Sequence, residues 1–174
     1  PIYLTQATSE LTPLIWEDAF SIMSYDHKKF DYPMLFEHED IARAQALFKG
    51  IELGKTIDLG GGVTAVWKDA GHIFGSAFIE IIADGTRIGF SGDIGNNGVP
   101  ILRETETLSP VDLLLCESTY GDRLHEPVDS RRKIILDAIK RGVARGGTIM
   151  IPAFSLERTQ ELLYELNTLA EYDH

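Results

Sequence analysis

The hydrophobic pattern of the chain has a period of two between residues 56 and 90, and this constrains the fold more than any other feature. Residues 56–59 and 63–68 flank Gly60-Gly61-Gly62, and residues 78–82 and 87–90 flank Asp84-Gly85. Alternating apolar and polar side chains are typical of half-buried strands, and Asp-Gly is a strong signal for a tight hairpin turn. The sequence therefore predicts two consecutive β-hairpins.

Two turns rich in small residues follow strands of these hairpins, and each carries a side chain that can bind a metal. His72 lies in residues 69–77, between the hairpins, and Asp93 lies in residues 90–95, after the last strand. Imidazole and carboxylate are usual ligands of zinc. Taken alone, His72 is explained equally well as a metal ligand and as a core histidine whose ring bonds to a backbone carbonyl. Asp93, taken alone, is better explained as a turn residue. Their place on consecutive loops, at the same end of neighbouring strands, favours a metal, although a catalytic zinc needs at least three protein ligands.

A third candidate, Glu117, follows the continuous apolar run at residues 113–116. Such a run predicts a strand buried on both faces, with Cys116 as a small buried hydrophobic residue. A carboxylate at the end of this strand is paired, exposed to solvent, or functional. Active-site groups gather at strand ends in open sheets, which makes Glu117 a candidate catalytic residue.

Ser155 and Arg158 lie where a predicted strand at 148–151 leads into a predicted helix at 157–169. Backbone amides at a helix start attract anions, and these two side chains would add donors to a phosphate. A helix cap combined with an ion pair between Arg158 and Glu161 explains the pattern equally well. Six basic side chains on or near the preceding helix are better explained as a solvated face: Arg131, Arg132, Lys133, Lys140, Arg141 and Arg145.

Helical periodicity predicts further helices over residues 12–25, with Thr12 as N-cap and Pro13 at the first position, and over 39–49 and 130–144. A short strand is expected at residues 2–4. The hairpins are followed by strand–helix–strand–helix order, so the predicted fold class is α/β, in the mixed α+β sense.

The net charge and the cysteine content exclude several classes of protein. The 174 residues carry 16 basic and 27 acidic side chains, a formal net charge of −11, which argues against broad electrostatic wrapping of nucleic acid. An enzyme that binds a phosphate through metal ions and a few arginines is still compatible with that net charge. A single cysteine excludes an internal disulfide and fits a reducing compartment. No apolar run is long enough to span a membrane.

Four motifs, in this order and spacing, resemble the β-CASP branch of the metallo-β-lactamase superfamily, especially its RNA-processing members: the cleavage-and-polyadenylation endonuclease and its bacterial and archaeal relatives. The motifs are Asp69-Ala70-Gly71-His72-Ile73-Phe74-Gly75-Ser76-Ala77, Phe90-Ser91-Gly92-Asp93, Glu117-Ser118-Thr119-Tyr120-Gly121-Asp122-Arg123 and Pro152-Ala153-Phe154-Ser155-Leu156-Glu157-Arg158-Thr159-Gln160-Glu161-Leu162-Leu163.

The resemblance implies roles for three residues. His72 matches the histidine that completes the first zinc site, Asp93 matches the aspartate that bridges two zinc ions, and Glu117 matches the acidic residue that orients a proton-donating histidine. It also implies part of an αββα metallo-β-lactamase sandwich in residues 1–118 and the beginning of an inserted α/β β-CASP domain in 119–174. The implied activity is zinc-dependent hydrolysis of single-stranded RNA in the cytoplasm, by endonucleolytic or exonucleolytic cleavage. The resemblance leaves open whether the protein forms a homodimer.

Some metal-binding and catalytic residues of the family are missing from the chain. The leading ligand motif, His-x-His-x-Asp-His, is expected before Pro1, and two later histidines are expected after His174. The chain is therefore predicted to be an internal piece of a nuclease, with weak or no zinc binding and negligible activity alone. Two alternatives stand beside the nuclease: a non-catalytic scaffold in an RNA-processing complex, and a metallo-hydrolase of small esters or thioesters.

Overall fold

The computed structural model describes residues 1–124, 127–154 and 156–172, and within them the chain forms seven strands and four helices. The strands are β1 (Ile2–Thr5), β2 (Phe48–Ile51), β3 (Thr56–Gly60), β4 (Val63–Asp69), β5 (Ala77–Ala83), β6 (Thr86–Phe90) and β7 (Leu113–Leu115). The helices are α1 (Gln6–Phe30), α2 (His38–Gln45), α3 (Val128–Ala144) and α4 (Arg158–Tyr172). This mixture of helices and strands agrees with the predicted α/β class.

Both predicted hairpins are present in a five-stranded sheet of order β3-β4-β5-β6-β7. Strands β3 to β6 are antiparallel to their sequence neighbours. Asp84 and Gly85 have φ angles of 48° and 77°, the positive values that a primed two-residue turn requires. The turn chemistry visible in the sequence therefore determined this part of the sheet.

Strand direction explains where the candidate site forms. Strands β4 and β6 are each antiparallel to β5, and β7 is parallel to β6, so β4, β6 and β7 all run the same way. Their carboxyl ends consequently lie at one edge of the sheet. The segments that leave this edge carry His72, Asp93 and Glu117, as the sequence predicted for the first two.

The amino-terminal region pairs β1 with β2 in a parallel two-stranded sheet, with α1 and α2 forming the crossover between them. The helix predicted to begin at Thr12 instead begins at Gln6, because the side chain of Thr5 caps it by accepting from the backbone N–H of Thr8 at 3.3 Å. Pro13 lies inside α1, and the helix continues to Phe30.

The helix predicted over residues 39–49 is wrong in its second half. Helix α2 ends at Gln45, and residues 48–51 form β2, in which Phe48 pairs with Ile2 and Ile51 with Thr5. A helical arrangement of apolar residues is a weak local preference, and pairing with a distant strand overrides it.

The apolar core lies between the two sheets. Ile51 of β2 packs with Ala65 and Trp67 of β4, and Ile79 and Ile81 of β5 pack against this cluster. The aromatic ring of Tyr3 in β1 lies 6.2 Å from that of Trp67, measured between centroids. One face of the larger sheet is thereby covered.

The other face of the sheet holds a buried charge. Glu80 of β5 is 1% exposed, and its carboxylate forms ion pairs of 2.8 Å with Lys68 and with Arg87. The backbone N–H of Ser109 donates to the same carboxylate at 2.8 Å. The segment before β7 therefore folds over this face through polar contacts.

Several predictions about buried apolar segments are wrong. The leucines of β7 are 44–55% exposed, because β7 is the edge strand of the sheet, and Cys116 is exposed rather than buried. Residues 148–151 form no strand in the described part of the chain, and Met150 is 89% exposed. A strand needs a hydrogen-bonded neighbour, which local apolar sequence does not supply.

The two carboxyl-terminal helices agree with the sequence within a few residues. Helix α3 follows Pro127 without a side-chain cap, so the predicted caps at Asp129 and Ser130 are wrong. Arg132 of α3 pairs with Glu165 of α4 at 2.9 Å, which joins the two helices.

Candidate functional site

The loop that carries His72 is fixed at several points by side chains around it. The hydroxyl of Ser76 accepts from the backbone N–H groups of His72 and Ile73, at 3.1 and 3.2 Å. The hydroxyls of Thr5 and Thr8 both donate to the carbonyl of Gly75, at 2.8 and 3.1 Å. His72 is therefore presented on a rigid turn held by the start of α1.

Two glycines allow this loop to approach its neighbours closely. Gly71 has a φ of 63°, and a Cβ on it would lie 2.8 Å from the backbone nitrogen of Thr105. A Cβ on Gly95 would lie 1.7 Å from the carbonyl oxygen of Gly71. The backbone N–H of Gly95 donates to the carbonyl of Ala70 at 2.8 Å. The loop after Asp93 is thus packed directly against the loop that carries His72.

Glu117 is tied to the Asp93 loop by its own carboxylate. Its Oε1 accepts from the backbone N–H of Ile94 at 2.6 Å, and its backbone N–H donates to the hydroxyl of Ser91 at 2.9 Å. The N–H of Ile94, the hydroxyl and N–H of Thr119 and the nearby imidazole of His72 together hold the pKa of Glu117 below its usual range. Glu117 is therefore an ionised group that positions the residue next to Asp93.

A cavity of about 670 Å³ lies at this edge of the sheet. His72, Glu117 and Arg158 all line it, so the structure brings together three candidates from distant motifs. Its remaining walls are formed by Gly71, Ile94, Gly95, Asn96, Val99, Ser118, Thr119, Tyr120, Gly121 and Arg131. Such a concave site with convergent polar groups is the usual form of a ligand-binding or catalytic site.

The other two candidates are placed differently. Asp93 is exposed and lies beside the cavity-lining residue Ile94, but it is not part of the wall. Ser155 lies outside the described residues. Arg158 forms the predicted ion pair with Glu161 and also faces the cavity, so the two explanations of its position are compatible.

The imidazole of His72 is half-buried, and within the described ranges no carbonyl or side chain hydrogen-bonds to its ring nitrogens. A core histidine satisfied by a backbone carbonyl, one of the two explanations above, is therefore not what the structure describes. Ring nitrogens without a protein partner suit a metal ligand.

We expect Ser76→Ala to lower the free energy of unfolding by about 1–3 kcal/mol, because it leaves two backbone N–H groups of the His72 turn without an acceptor. Chemical denaturation followed by tryptophan fluorescence measures this loss. Ser21→Ala is the matched control: it removes an exposed hydroxyl that donates to the carbonyl of Glu17, and its effect should stay within about 0.5 kcal/mol. Equal effects of the two variants would contradict the role given to Ser76.

Several known proteins resemble the chain over nearly its whole length. No family model matches the chain. Ribonuclease TTHA0252 of Thermus thermophilus is 35% identical over 168 residues, which are 97% of this chain and 37% of the relative. Cleavage and polyadenylation specificity factor subunit 3-I of Arabidopsis thaliana is 32% identical over 169 residues, 95% of this chain and 23% of the relative. An RNase J-like protein of Methanocaldococcus jannaschii is 29% identical over 172 residues, 95% of this chain and 38% of the relative.

The chain belongs to the β-CASP branch of the metallo-β-lactamase superfamily. It spans less than two fifths of the length of each of these three relatives. The resemblance predicted from the four motifs is thereby confirmed.

The residues present fit part of the metal site that the name of the superfamily implies. His72 offers ring nitrogens without a protein partner, and Asp93 offers an exposed carboxylate next to the same loop. Within residues 1–124, 127–154 and 156–172, no three histidine, cysteine or acidic side chains are grouped closely enough to hold an ion. This β-CASP chain therefore supplies ligand types suited to zinc, but not a complete set in its described part.

Sequence reasoning missed two residues near the site. The sequence predicts that Arg131 lies on a solvated helix face, yet it lines the cavity and lies 4.0 Å from the carboxylate of Glu161, which also binds Arg158. Glu157 was not singled out, although it is 3% exposed and has a φ of 68°. Nothing in the local sequence distinguishes these two from ordinary charged residues at the start of a helix.

Among the helices of the described residues, none has the length and apolar content needed to cross a bilayer.

Proposed function

We propose that the protein that contains this chain is a zinc-dependent ribonuclease that hydrolyses phosphodiester bonds of single-stranded RNA. The observation that carries the proposal is the meeting of His72, Glu117 and Arg158, from three separate motifs, at one cavity. Relatives that match nearly the whole chain bear the names ribonuclease and endoribonuclease, which supports the same reaction.

The proposal includes two structural parts. Residues 1–118 would belong to the metallo-β-lactamase domain and residues 119–174 to the start of the inserted β-CASP domain. The cavity walls include residues from both parts, such as His72 on one side and Arg158 on the other. An active site between a metal-binding domain and an inserted domain fits this arrangement.

His72 and Asp93 are the residues that would hold metal in this chain. Bound zinc would supply a Lewis acid and lower the pKa of a water, the chemistry that phosphodiester hydrolysis requires. Glu117 keeps the Asp93 loop in place through the N–H of Ile94, and as an anion it is suited to orient a protonated histidine.

Arg158 is suited to bind an RNA phosphate at the cavity. Its guanidinium is half-exposed and is held by the carboxylate of Glu161, an ion pair that orients its remaining N–H donors. Arginine binds phosphate oxygens through paired N–H donors, and Arg131 adds a second guanidinium on the same wall. Local arginines allow RNA binding despite the net charge of −11. Ser155, which lies outside the described residues, stays a prediction from the sequence as a further donor to the phosphate.

Location and assembly are also part of the proposal. A single, exposed, free Cys116 fits the reducing cytoplasm. This site is compatible with endonucleolytic and with exonucleolytic cleavage. It is also compatible with a monomer and with a homodimer. The products of a defined RNA and the mass of the particle in solution distinguish these cases.

We expect His72→Asn in the full-length protein to lower both zinc content and RNA cleavage. Replacing a group that only supports a ligand typically costs about 10–100-fold, so loss of the ligand itself should cost more than about 100-fold in activity. Zinc is measured by elemental analysis, and cleavage with a labelled single-stranded RNA.

His38→Asn is the matched control, because His38 is an exposed histidine that pairs with Glu17 at 3.0 Å and does not line the cavity. Absence of both zinc and cleavage in the wild-type protein would favour the non-catalytic scaffold. Hydrolysis of small esters without RNA cleavage would favour the other alternative.

A further inference from the structure

Tyr120 is an exposed aromatic residue in the wall of the cavity at the edge of the larger sheet. It lies in the segment that follows β7, three residues after Glu117, and it is 57% exposed. A single exposed tyrosine on a convex surface needs no explanation. A tyrosine in a concave wall lined with charged side chains is different, because a ligand of the cavity comes into contact with it.

The residues next to Tyr120 hold its ring in place. Residues 119–122 form a turn, and the backbone N–H of Arg123 donates to the carbonyl of Tyr120 at 3.3 Å. The guanidinium carbon of Arg123 lies 6.0 Å from the centroid of the Tyr120 ring, and Asp122 binds that guanidinium at 3.0 and 3.2 Å. A cation over the face of an aromatic ring is attracted to it. These contacts favour one placement of the ring before a ligand binds.

Two guanidinium groups lie in the wall of the same cavity as this ring. They belong to Arg131 and Arg158, which both make ion pairs with Glu161. Arginine binds phosphate oxygens through paired N–H donors, whereas an aromatic ring offers an apolar face. The cavity volume of about 670 Å³ is typical of sites that hold a whole small molecule rather than a single ion. The cavity therefore has room for a nucleotide, with separate groups suited to its phosphate and to its base.

We propose that Tyr120 is the base-binding residue of this cavity: its ring stacks on an unpaired nucleobase of the RNA chain whose phosphate Arg131 and Arg158 bind. Every base has a face that can stack on an aromatic ring, so this contact recognises nucleic acid without selecting a sequence. A base inside a double helix is stacked on its neighbours, so the same residue favours single-stranded RNA. The inference rests on the proposed function and deepens it by naming the residue that recognises the base.

The hydroxyl of Tyr120 offers a different role, which the choice of variants separates from stacking. A phenol in this wall would donate a hydrogen bond to a phosphate, and that contact needs the hydroxyl rather than the ring. Tyr120→Phe keeps the ring and removes the hydroxyl. Tyr120→Leu removes both and leaves an apolar side chain at an exposed position, so the fold should tolerate it.

RNA binding by the full-length protein, measured with a chelator present so that the RNA stays intact, tests the proposal. The two probes are a short labelled single-stranded RNA and a ribose-phosphate oligomer of equal length and charge that carries no bases. Fluorescence anisotropy gives both affinities. Loss of stacking on one base in Tyr120→Leu should weaken binding of the RNA about 5–150-fold. Binding of the base-free oligomer should not change, since it offers no base to stack.

Tyr120→Phe should recover the RNA affinity that Tyr120→Leu loses, because stacking needs the ring and not the hydroxyl. Tyr25→Leu is the matched control: Tyr25 is 58% exposed and has the Nζ of Lys29 at 5.2 Å from its ring centroid, but it does not line the cavity. Equal losses in Tyr120→Phe and Tyr120→Leu would assign the role to the hydroxyl and overturn the proposal. Equal losses on the RNA and on the base-free oligomer would also overturn it.

Photocrosslinking of the wild-type protein gives a second readout that does not depend on the folding of a variant. An RNA that carries iodouridine is irradiated in the complex, and mass spectrometry identifies the residue to which it becomes attached. Tyr120 should carry the crosslink. A crosslinked peptide that lacks Tyr120 would contradict the stacking role.

These outcomes distinguish the inference from the proposed function. If the wild-type protein neither binds nor cleaves RNA, both proposals fall. If the wild-type protein cleaves RNA but binds the RNA and the base-free oligomer equally, the ribonuclease stands and only the role of Tyr120 is wrong.

Discussion

In the full-length protein, replacing Gly95 by alanine is expected to lower the proposed RNA cleavage by about 100-fold and the free energy of unfolding by about 1–3 kcal/mol. The new Cβ would lie 1.7 Å from the carbonyl oxygen of Gly71 and 2.7 Å from the backbone nitrogen of His72. Neither backbone atom can move away as a flexible side chain would. The two loops must separate, and the ligand candidates His72 and Asp93 then lose their relative position.

Steady-state cleavage of a labelled RNA, zinc content and chemical denaturation together measure the effect of Gly95→Ala. Gly147→Ala is the matched control, because no atom lies within 4 Å of its added Cβ and its φ is not in the left-handed region. Wild-type cleavage by Gly95→Ala would show that contact between the two loops is not needed for activity.

Replacing Glu80 by glutamine is expected to lower the free energy of unfolding by about 3 kcal/mol. Glu80 is 1% exposed and neutralises both Lys68 and Arg87, so the variant leaves two cations on the covered face of the sheet without their shared anion. The variant also weakens the acceptor for the N–H of Ser109, which fixes the segment before β7.

The same carboxylate makes stability depend on pH in the acid range. Burial alone raises the pKa of Glu80, but Lys68, Ser109 and Arg87 outweigh it and lower the pKa from 4.5 to about 2. Because the folded-state pKa is depressed, the stabilisation is fully present above pH 4.5 and is lost as the pH falls toward 2. A shift of this size corresponds to about 3 kcal/mol.

Urea denaturation between pH 7 and pH 2, followed by tryptophan fluorescence, to which Trp16 and Trp67 of the adjoining strand both contribute, tests this prediction. Glu80→Gln should flatten the acid part of the profile relative to the wild type. Glu52→Gln is the control, since Glu52 forms an exposed pair with Lys55 and should contribute less than about 1 kcal/mol. An unchanged acid profile in Glu80→Gln would show that the buried ion pairs do not supply the stabilisation.

The parts of the fold that the sequence predicted well are those determined by local chemistry. Asp84-Gly85 has the backbone angles of a primed turn, and Gly60-Gly61-Gly62 joins the first hairpin as expected. Helices α3 and α4 follow their apolar periodicity within a few residues. Turn propensity and helical periodicity depend on neighbouring residues, so one sequence is sufficient to recognise them.

Prediction from the local sequence was wrong where pairing or packing with distant strands determined the structure. Residues 48–51 have a helical pattern, but pairing with residues 2–5 makes them a strand. The apolar run at 113–115 is a strand at the edge of its sheet, with its leucines half-exposed. In both cases the deciding hydrogen bonds or packing contacts come from residues far away in the chain.

The sequence by itself determined the two hairpins, the family and the identities of His72, Asp93, Glu117 and Arg158 as candidates, because those depend on residue type and spacing. Only the tertiary structure placed three of these candidates at one cavity and packed Gly95 against the His72 loop. The physical reason is strand direction: β4, β6 and β7 end at the same edge of the sheet, and this brings together loops that are tens of residues apart along the chain.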